Sequence, residues 1–266
     1  MNKIEIRQIY YDDTSFSQLQ EPFIPLNNVE GDKSWFEFWP MINFLAQTEL
    51  EENIFYGFFS PKFSIKTGFS PESAMAVINK NSEKDVVIFS YGWDQLCYFI
   101  NPWEQGEVWQ RGITKATQDF LDYVGFNIQI SQLITSRKNS VFSNFIVAKK
   151  SYWEKWKALA SQFLLYADDP DGDLFHLKTQ YLKGAQPMKV FIQERLPALL
   201  LADKSLSVAA IDVTTGTTAP FFVNSPENKK RLEHCDWVKD KIIETGMSRQ
   251  LINEFNNSRK NVLFKK

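Results

Sequence analysis

Short, continuously apolar runs alternate along this chain with longer stretches of helical pattern, and that alternation constrains the fold more than any other feature. Asp85-Val-Val-Ile-Phe-Ser90 has a β-branched centre and no polar alternation, the pattern of a strand covered on both faces. Ile54–Phe59 and Asn144–Ala148 read the same way, Val208–Ile211 is a further candidate, and the isoleucines between Ile4 and Tyr10 suggest an opening strand.

The intervening segments carry helix signals. Ser34–Leu45 is aromatic-rich and mostly helical, with Pro40 expected to break or kink it. Ser70-Pro71-Glu72 places a capping hydroxyl, a proline at the first helical position and an acid in the first turn; that helix should end near Asn79. Thr114–Val124 is closed by Gly125, Ser151-Tyr-Trp-Glu154 has the form of a capping box for a helix to about Tyr166, and Ser225-Pro226-Glu227 opens a long charged helix to Gly246, with a shorter one from Ser248. The expected fold class is an α/β sandwich around a mostly parallel central sheet, with C-terminal helices. Residues 1–224 are expected to form the main domain and 225–266 a helical extension packed on it.

Composition narrows the function classes. With 30 Lys+Arg against 32 Asp+Glu the net charge is -2, without the basic excess of a chain that lives on nucleic-acid phosphates. Cys97 and Cys235 are the only cysteines, too few for a disulfide framework or a cysteine zinc site and consistent with a reducing cytoplasm. The N-terminal residues lack a signal-like apolar core, and a run such as Ala198–Ala202 is far short of the roughly 20 residues a membrane helix needs. A soluble cytoplasmic protein without a transmembrane segment is therefore expected. His176 and His234 are the only histidines, and the glycine patterns of dinucleotide folds, P-loops and nucleophile elbows are absent. Catalysis by this chain must rest on carboxylates, cations, amides and aromatics.

Five constellations carry such groups. Asp94 follows the exit of the Asp85–Ser90 run in a glycine-containing loop, where a carboxylate reads either as a solvated loop acid or as a holder of a ribose hydroxyl or divalent ion. Gly57-Phe-Phe-Ser-Pro-Lys62-Phe-Ser-Ile-Lys66 runs from an apolar strand into a turn with two lysines, either ordinary surface charge or donors for diphosphate oxygens. Arg137 and Lys138 precede Ser143-Asn144 at a strand entrance, where short polar groups satisfy turn backbone or bind a sugar hydroxyl. Glu194-Arg195 is a charged pair inside a strongly apolar stretch, so Glu194 is half of a structural ion pair or an acid or base tuned by burial. Asp168–Asp173 holds four carboxylates without the spacing of a calcium loop, and reads as a flexible acidic loop or as a metal-binding lid.

Taken together, Tyr10-Tyr11, Pro22–Asn28, Trp35-Phe-Glu37-Phe-Trp39 and Tyr56–Thr67 resemble proteins of bacterial surface-polysaccharide clusters thought to be glycosyltransferases with a GT-A-like, nucleotide-sugar-binding fold. A related group carries Gly-x-x-His-Tyr-Arg-Arg where this chain has Gly57–Lys62, and a Glu-Arg-Leu motif matched by Glu194-Arg195-Leu196. The resemblance spans about residues 3–202. It departs in two places: the His-Tyr-Arg-Arg cluster has become Ser60-Pro61-Lys62-Phe63, and no Asp-x-Asp stands at a strand exit. The resemblance implies transfer of a sugar from a nucleotide-sugar donor to a glycan or lipid-linked glycan acceptor. Glu194 would be the base with Arg195 beside it; Tyr10, Lys62, Lys66, Asp94 and Arg137 would hold the donor, and Ser143, Asn144 and Trp93 would contact sugar. A divalent metal, Mn or Mg, would sit at Asp94. The competing expectations are a non-catalytic carbohydrate- or partner-binding module and a glycoside hydrolase pairing Glu194 with Asp94.

Overall fold

The computed structural model describes residues 3–181, 184–213, 222 and 225–262. Its centre is a six-stranded sheet ordered β2-β1-β3-β5-β4-β8, built from β1 (Lys3–Tyr10), β2 (Ile24–Asn27), β3 (Ile54–Phe59), β4 (Val86–Phe89), β5 (Ile146–Ala148) and β8 (Val208–Ile211). β5 runs antiparallel to β3 and β4, while β1 with β2, β1 with β3, and β4 with β8 are parallel. A separate antiparallel ribbon joins β6 (Lys178–Tyr181) to β7 (Gly184–Pro187).

The helices fill the connections. In chain order they are α1 (Asp13–Phe16), α2 (Phe38–Gln47), α3 (Phe63–Thr67), α4 (Pro71–Lys80), α5 (Trp93–Tyr98), α6 (Pro102–Trp109) and α7 (Ile113–Tyr123). Then follow α8 (Lys150–Ala167), α9 (Asp173–His176), α10 (Met188–Gln193), α11 (Leu196–Leu201), α12 (Pro226–Thr245) and α13 (Arg249–Lys260).

Every residue of β3 and β4 is buried, which is why both read as unbroken apolar runs. Successive strand side chains point to opposite faces. Phe58 meets Trp153 of α8 edge-on at 5.0 Å, and Phe59 stacks on Phe63 of α3 at 4.0 Å, so helices cover the sheet on both sides. The Trp153 indole also donates to the Tyr56 carbonyl at 2.9 Å. Much of the high aromatic content is this core: Trp35, Phe38, Phe55, Trp103 and Trp156 are all within a few per cent of complete burial.

Several boundaries differ from the sequence expectations. Helix α2 begins at Phe38 rather than Ser34, so Pro40 falls in its first turn, where the missing N–H has no intrahelical partner to lose and no kink results. The cap of α8 is Lys149 without a side-chain hydrogen bond, and the Ser151 capping box does not form. The caps at Ser70, Ser225 and Ser248 do form, accepting from Ser73, Asn228 and Leu251 amides.

α12 lies against α5 through buried charge. Lys239 is fully buried, its ammonium donating to the carbonyls of Leu96 and Phe99 and lying 3.7 Å from Asp236. Asp236 in turn accepts from the Arg137 backbone and guanidinium, each at 3.1 Å. Among the described residues, no helix is long and apolar enough to cross a membrane.

Candidate functional site

The carboxyl ends of β1, β3, β4 and β8 and the entrance of β5 lie along one edge of the sheet, the edge where open α/β sheets place ligands. β3 delivers Ser60 and, one short helix later, Lys66 in the last turn of α3. The Lys66 ammonium donates to Ser143 Oγ at 2.8 Å and lies 5.2 Å from the Tyr91 ring centre and 5.7 Å from that of Phe145. One lysine thus joins the ends of β3, β4 and β5.

Two carboxylates face this lysine. Glu37, at the N-cap of α2, and Glu194, at the C-cap of α10, are each surrounded deeply by protein yet keep part of their surface open. Both carboxylates lie within electrostatic range of Lys66. Burial pushes the Glu37 carboxyl up to about 7, with Lys66 and Lys62 drawing it down and the nearby Glu194 charge raising it further. Burial also raises Glu194, against the pull of Arg195 and Lys66. The two carboxyls are coupled, because a like charge close by disfavours ionisation of both. Glu37 also raises the Tyr11 hydroxyl, after burial, so this half-exposed ring belongs to the same rim.

Backbone strain converges here too. The non-glycine residues with positive φ are Phe36 (48°), Ser143 (60°) and Asn144 (54°); one immediately precedes Glu37 and another receives the Lys66 bond. Left-handed backbone at such residues persists only where the surroundings enforce it, and it concentrates at functional sites. The Asn28 amide holds the first of these by donating to the Phe36 carbonyl at 3.1 Å. Asn144 is buried, and its Oδ1 lacks a hydrogen-bond partner among the described residues.

The sequence-derived candidates therefore divide. Lys62, Lys66, Ser143, Asn144 and Glu194 come together, and Glu37 joins them. Glu37 stood in an aromatic motif that suggested packing; its only sequence signal was an acid among bulky apolar residues, the same signal that singled out Glu194. Tyr10 packs edge-on against Phe16 at 5.0 Å, and Tyr11 rather than Tyr10 is the tyrosine electrostatically linked to Glu37.

Arg195 is fully engaged by the fold. Its guanidinium is buried and donates to the Pro102 carbonyl (2.9 Å), the Phe191 carbonyl (2.7 Å) and Gln105 Oε1 (2.6 Å). Gly106 makes this possible, since a Cβ there would come within 3.1 Å of the guanidinium. Burial lowers Arg195 to about 10 despite Glu194 beside it.

Asp94 is 2 % exposed, with one oxygen accepting from the Gln95 amide at 2.9 Å and the other from the Phe222 amide at 3.1 Å. It is not an open ligand group. Among the described residues no three His, Cys, Asp or Glu side chains gather as a metal-holding group, and both Asp94 carboxylate oxygens already accept backbone amides. Arg137 is committed to Asp236, with Asp212 at 3.9 Å, and together with Trp93 it lines a separate concavity under β4 and β8. The acidic loop is anchored as well: Asp168 accepts from the Trp35 indole at 2.9 Å and from Lys189 at 2.6 Å.

Comparison with known proteins yields no matching family model, no similar curated protein and no similar solved structure. The fold and site thus define a class and no more: an α/β protein with a mostly parallel six-stranded sheet, C-terminal helices and a carboxylate–lysine grouping at the carboxyl edge of the sheet.

Proposed function

We propose that this protein is a glycosyltransferase that moves a sugar from a nucleotide-sugar donor to a hydroxyl of a glycan acceptor. The observation that carries the reading is the grouping of Glu37 and Glu194, both with raised proton affinity, around Lys66 at the ends of β3, β4 and β5. A sheet with one antiparallel strand inserted between β3 and β4 is in keeping with a GT-A-like domain, and the resemblance over residues 3–202 points the same way.

In this reaction the acceptor hydroxyl gives its proton to Glu194 as its oxygen bonds the sugar C1. The bond from C1 to the diphosphate oxygen breaks, and the diphosphate departs with the electron pair. A carboxyl with raised proton affinity suits the first task at neutral pH. Lys66 and Lys62 neutralise the leaving diphosphate, the role otherwise supplied by an Arg cluster or a cation. Ionised Glu37 increases the basicity of Glu194 and faces the positive charge that develops on the sugar ring. On this reading Ser143, beside Lys66, contacts the sugar, and Asn144 shapes the strand entrance that holds it. A cytoplasmic location, with peripheral contact to a lipid-linked acceptor, accompanies this reading.

Calorimetric titration with UDP, GDP and CMP tests it. One nucleotide is expected to bind the native chain and to bind Lys66→Ala at least tenfold more weakly. Absence of binding by every nucleotide would favour the alternative, a carbohydrate-binding module with a degenerate transferase fold, for which the committed Asp94 and Arg195 speak.

A further inference from the structure

The sheet edge carries a concavity of about 340 Å³. Ser90 at the end of β4 and Asp212 after β8 contribute to it; Arg137 and Lys138 contribute from a loop, and Asp236, Trp237 and Asp240 from α12. It adjoins the neighbourhood of Lys66. Ser90 Oγ donates to the Arg137 carbonyl at 2.8 Å on one side, while the next residue, Tyr91, has the Lys66 ammonium near its ring on the other.

The charges of the two places differ. The concavity sets Arg137 and Lys138 against the carboxylates of Asp212, Glu233, Asp236 and Asp240, so acids outnumber bases. The cations are already paired: Arg137 with Asp236 at 3.1 Å and Lys138 with Asp240 at 2.7 Å. A nucleoside diphosphate meets net repulsion there, whereas the hydroxyls of a neutral sugar can donate to the remaining lone pairs of these ion-paired carboxylates.

Trp237 supplies the apolar platform. It is 49 % exposed; its indole stacks on His234 at 5.5 Å and 17°, the Lys241 ammonium lies 5.9 Å from its ring centre, and the His234 ring nitrogen lies 3.0 Å from Glu254 of α13. An exposed indole held from a second helix is a preorganised surface for the apolar face of a sugar ring.

We infer that this concavity is the acceptor subsite and takes a neutral glycan with one ring on Trp237. The inference rests on the glycosyl-transfer reading, and it assigns α12 a part in substrate choice. The test is an array of immobilised neutral oligosaccharides built from glucose, galactose, mannose and N-acetylglucosamine, probed with the native chain and its variants, with UDP, GDP and CMP titrated separately. The native chain is expected to be retained, Trp237→Ala to lose at least tenfold in affinity, Trp237→Phe to recover part of it, and Lys66→Ala to match the native chain. If Trp237→Ala fails to fold, Asp212→Asn, a change at an exposed carboxylate, carries the same expected weakening. Equal retention of folded Trp237→Ala, or no retention of the native chain on any glycan, overturns the inference. Glycan binding that depends on Trp237 without binding of any nucleotide overturns the transfer reading alone.

Discussion

Glu37 holds its proton more tightly in the folded chain, at about 7, than its ordinary value of 4.5. The stability this contributes is complete below pH 4.5 and is lost as pH rises through about 7, on the order of 2 kcal/mol. Urea denaturation at pH 5 and pH 8 should show that loss in the native chain and a much smaller one in Glu37→Gln. The same titration shapes activity. Turnover is expected to rise through about pH 7 as Glu37 ionises and strengthens Glu194 as a base, and Glu37→Gln should remove that limb from the pH–rate profile. Glu194 was legible in the sequence because an acid inside an apolar run demands an explanation. Glu37 was not, since Trp35 and Phe38 are true core residues and hid the acid between them. Asp94 is a different case: a strand exit with glycine is a common ligand position, and here its carboxylate accepts two backbone amides. No one-dimensional pattern distinguishes those two uses.

The sheet and its helices follow directly from apolar patterning, because buried strands and serine-capped helices leave local signatures. Elements with weak or ambiguous patterns escaped. β2 is an exposed edge strand that accommodates Pro25, and the β6–β7 ribbon is polar. The run from Met188 to Leu201 is so apolar that periodicity cannot separate helix from strand; the structure makes it α10 and α11, with Glu194 at their junction. In β3, Gly57 lies close beneath β1 and β5. A Cβ there would meet Val147 Cγ2 at 2.9 Å and the Ile146 carbonyl oxygen at 3.3 Å. Gly57→Ala should cost about 1–3 kcal/mol by overpacking and displace the segment leading to Lys66, both readable from denaturation and nucleotide titration. At the α5–α12 contact, Asp236→Ala leaves Arg137 and buried Lys239 without their shared carboxylate. A loss of about 3–5 kcal/mol is expected in chemical denaturation.

Across the whole molecule, the near-zero net charge conceals a division that composition could not reveal. Lys62 and Lys66 are balanced by Glu37 and Glu194 at the ends of β3 and β5, whereas carboxylates outnumber cations in the concavity at the ends of β4 and β8. Nucleotide binding should therefore weaken as salt rises from 50 to about 500 mM, while neutral-glycan binding changes little. Under the proposed transfer, donor and acceptor take separate places on one sheet edge, with Glu194 and Glu37 at the reacting centre. The most direct measurement of this claim is nucleotide release from a panel of UDP-, GDP-, dTDP- and CMP-sugars in the presence of mixed glycan acceptors, comparing the native chain with Glu194→Gln at pH 7.5. The account predicts acceptor-dependent release by the native chain and a fall of about 10²–10⁴-fold in a variant whose circular dichroism is unchanged. Undiminished release by Glu194→Gln, or no release from any donor by the native chain, would contradict it.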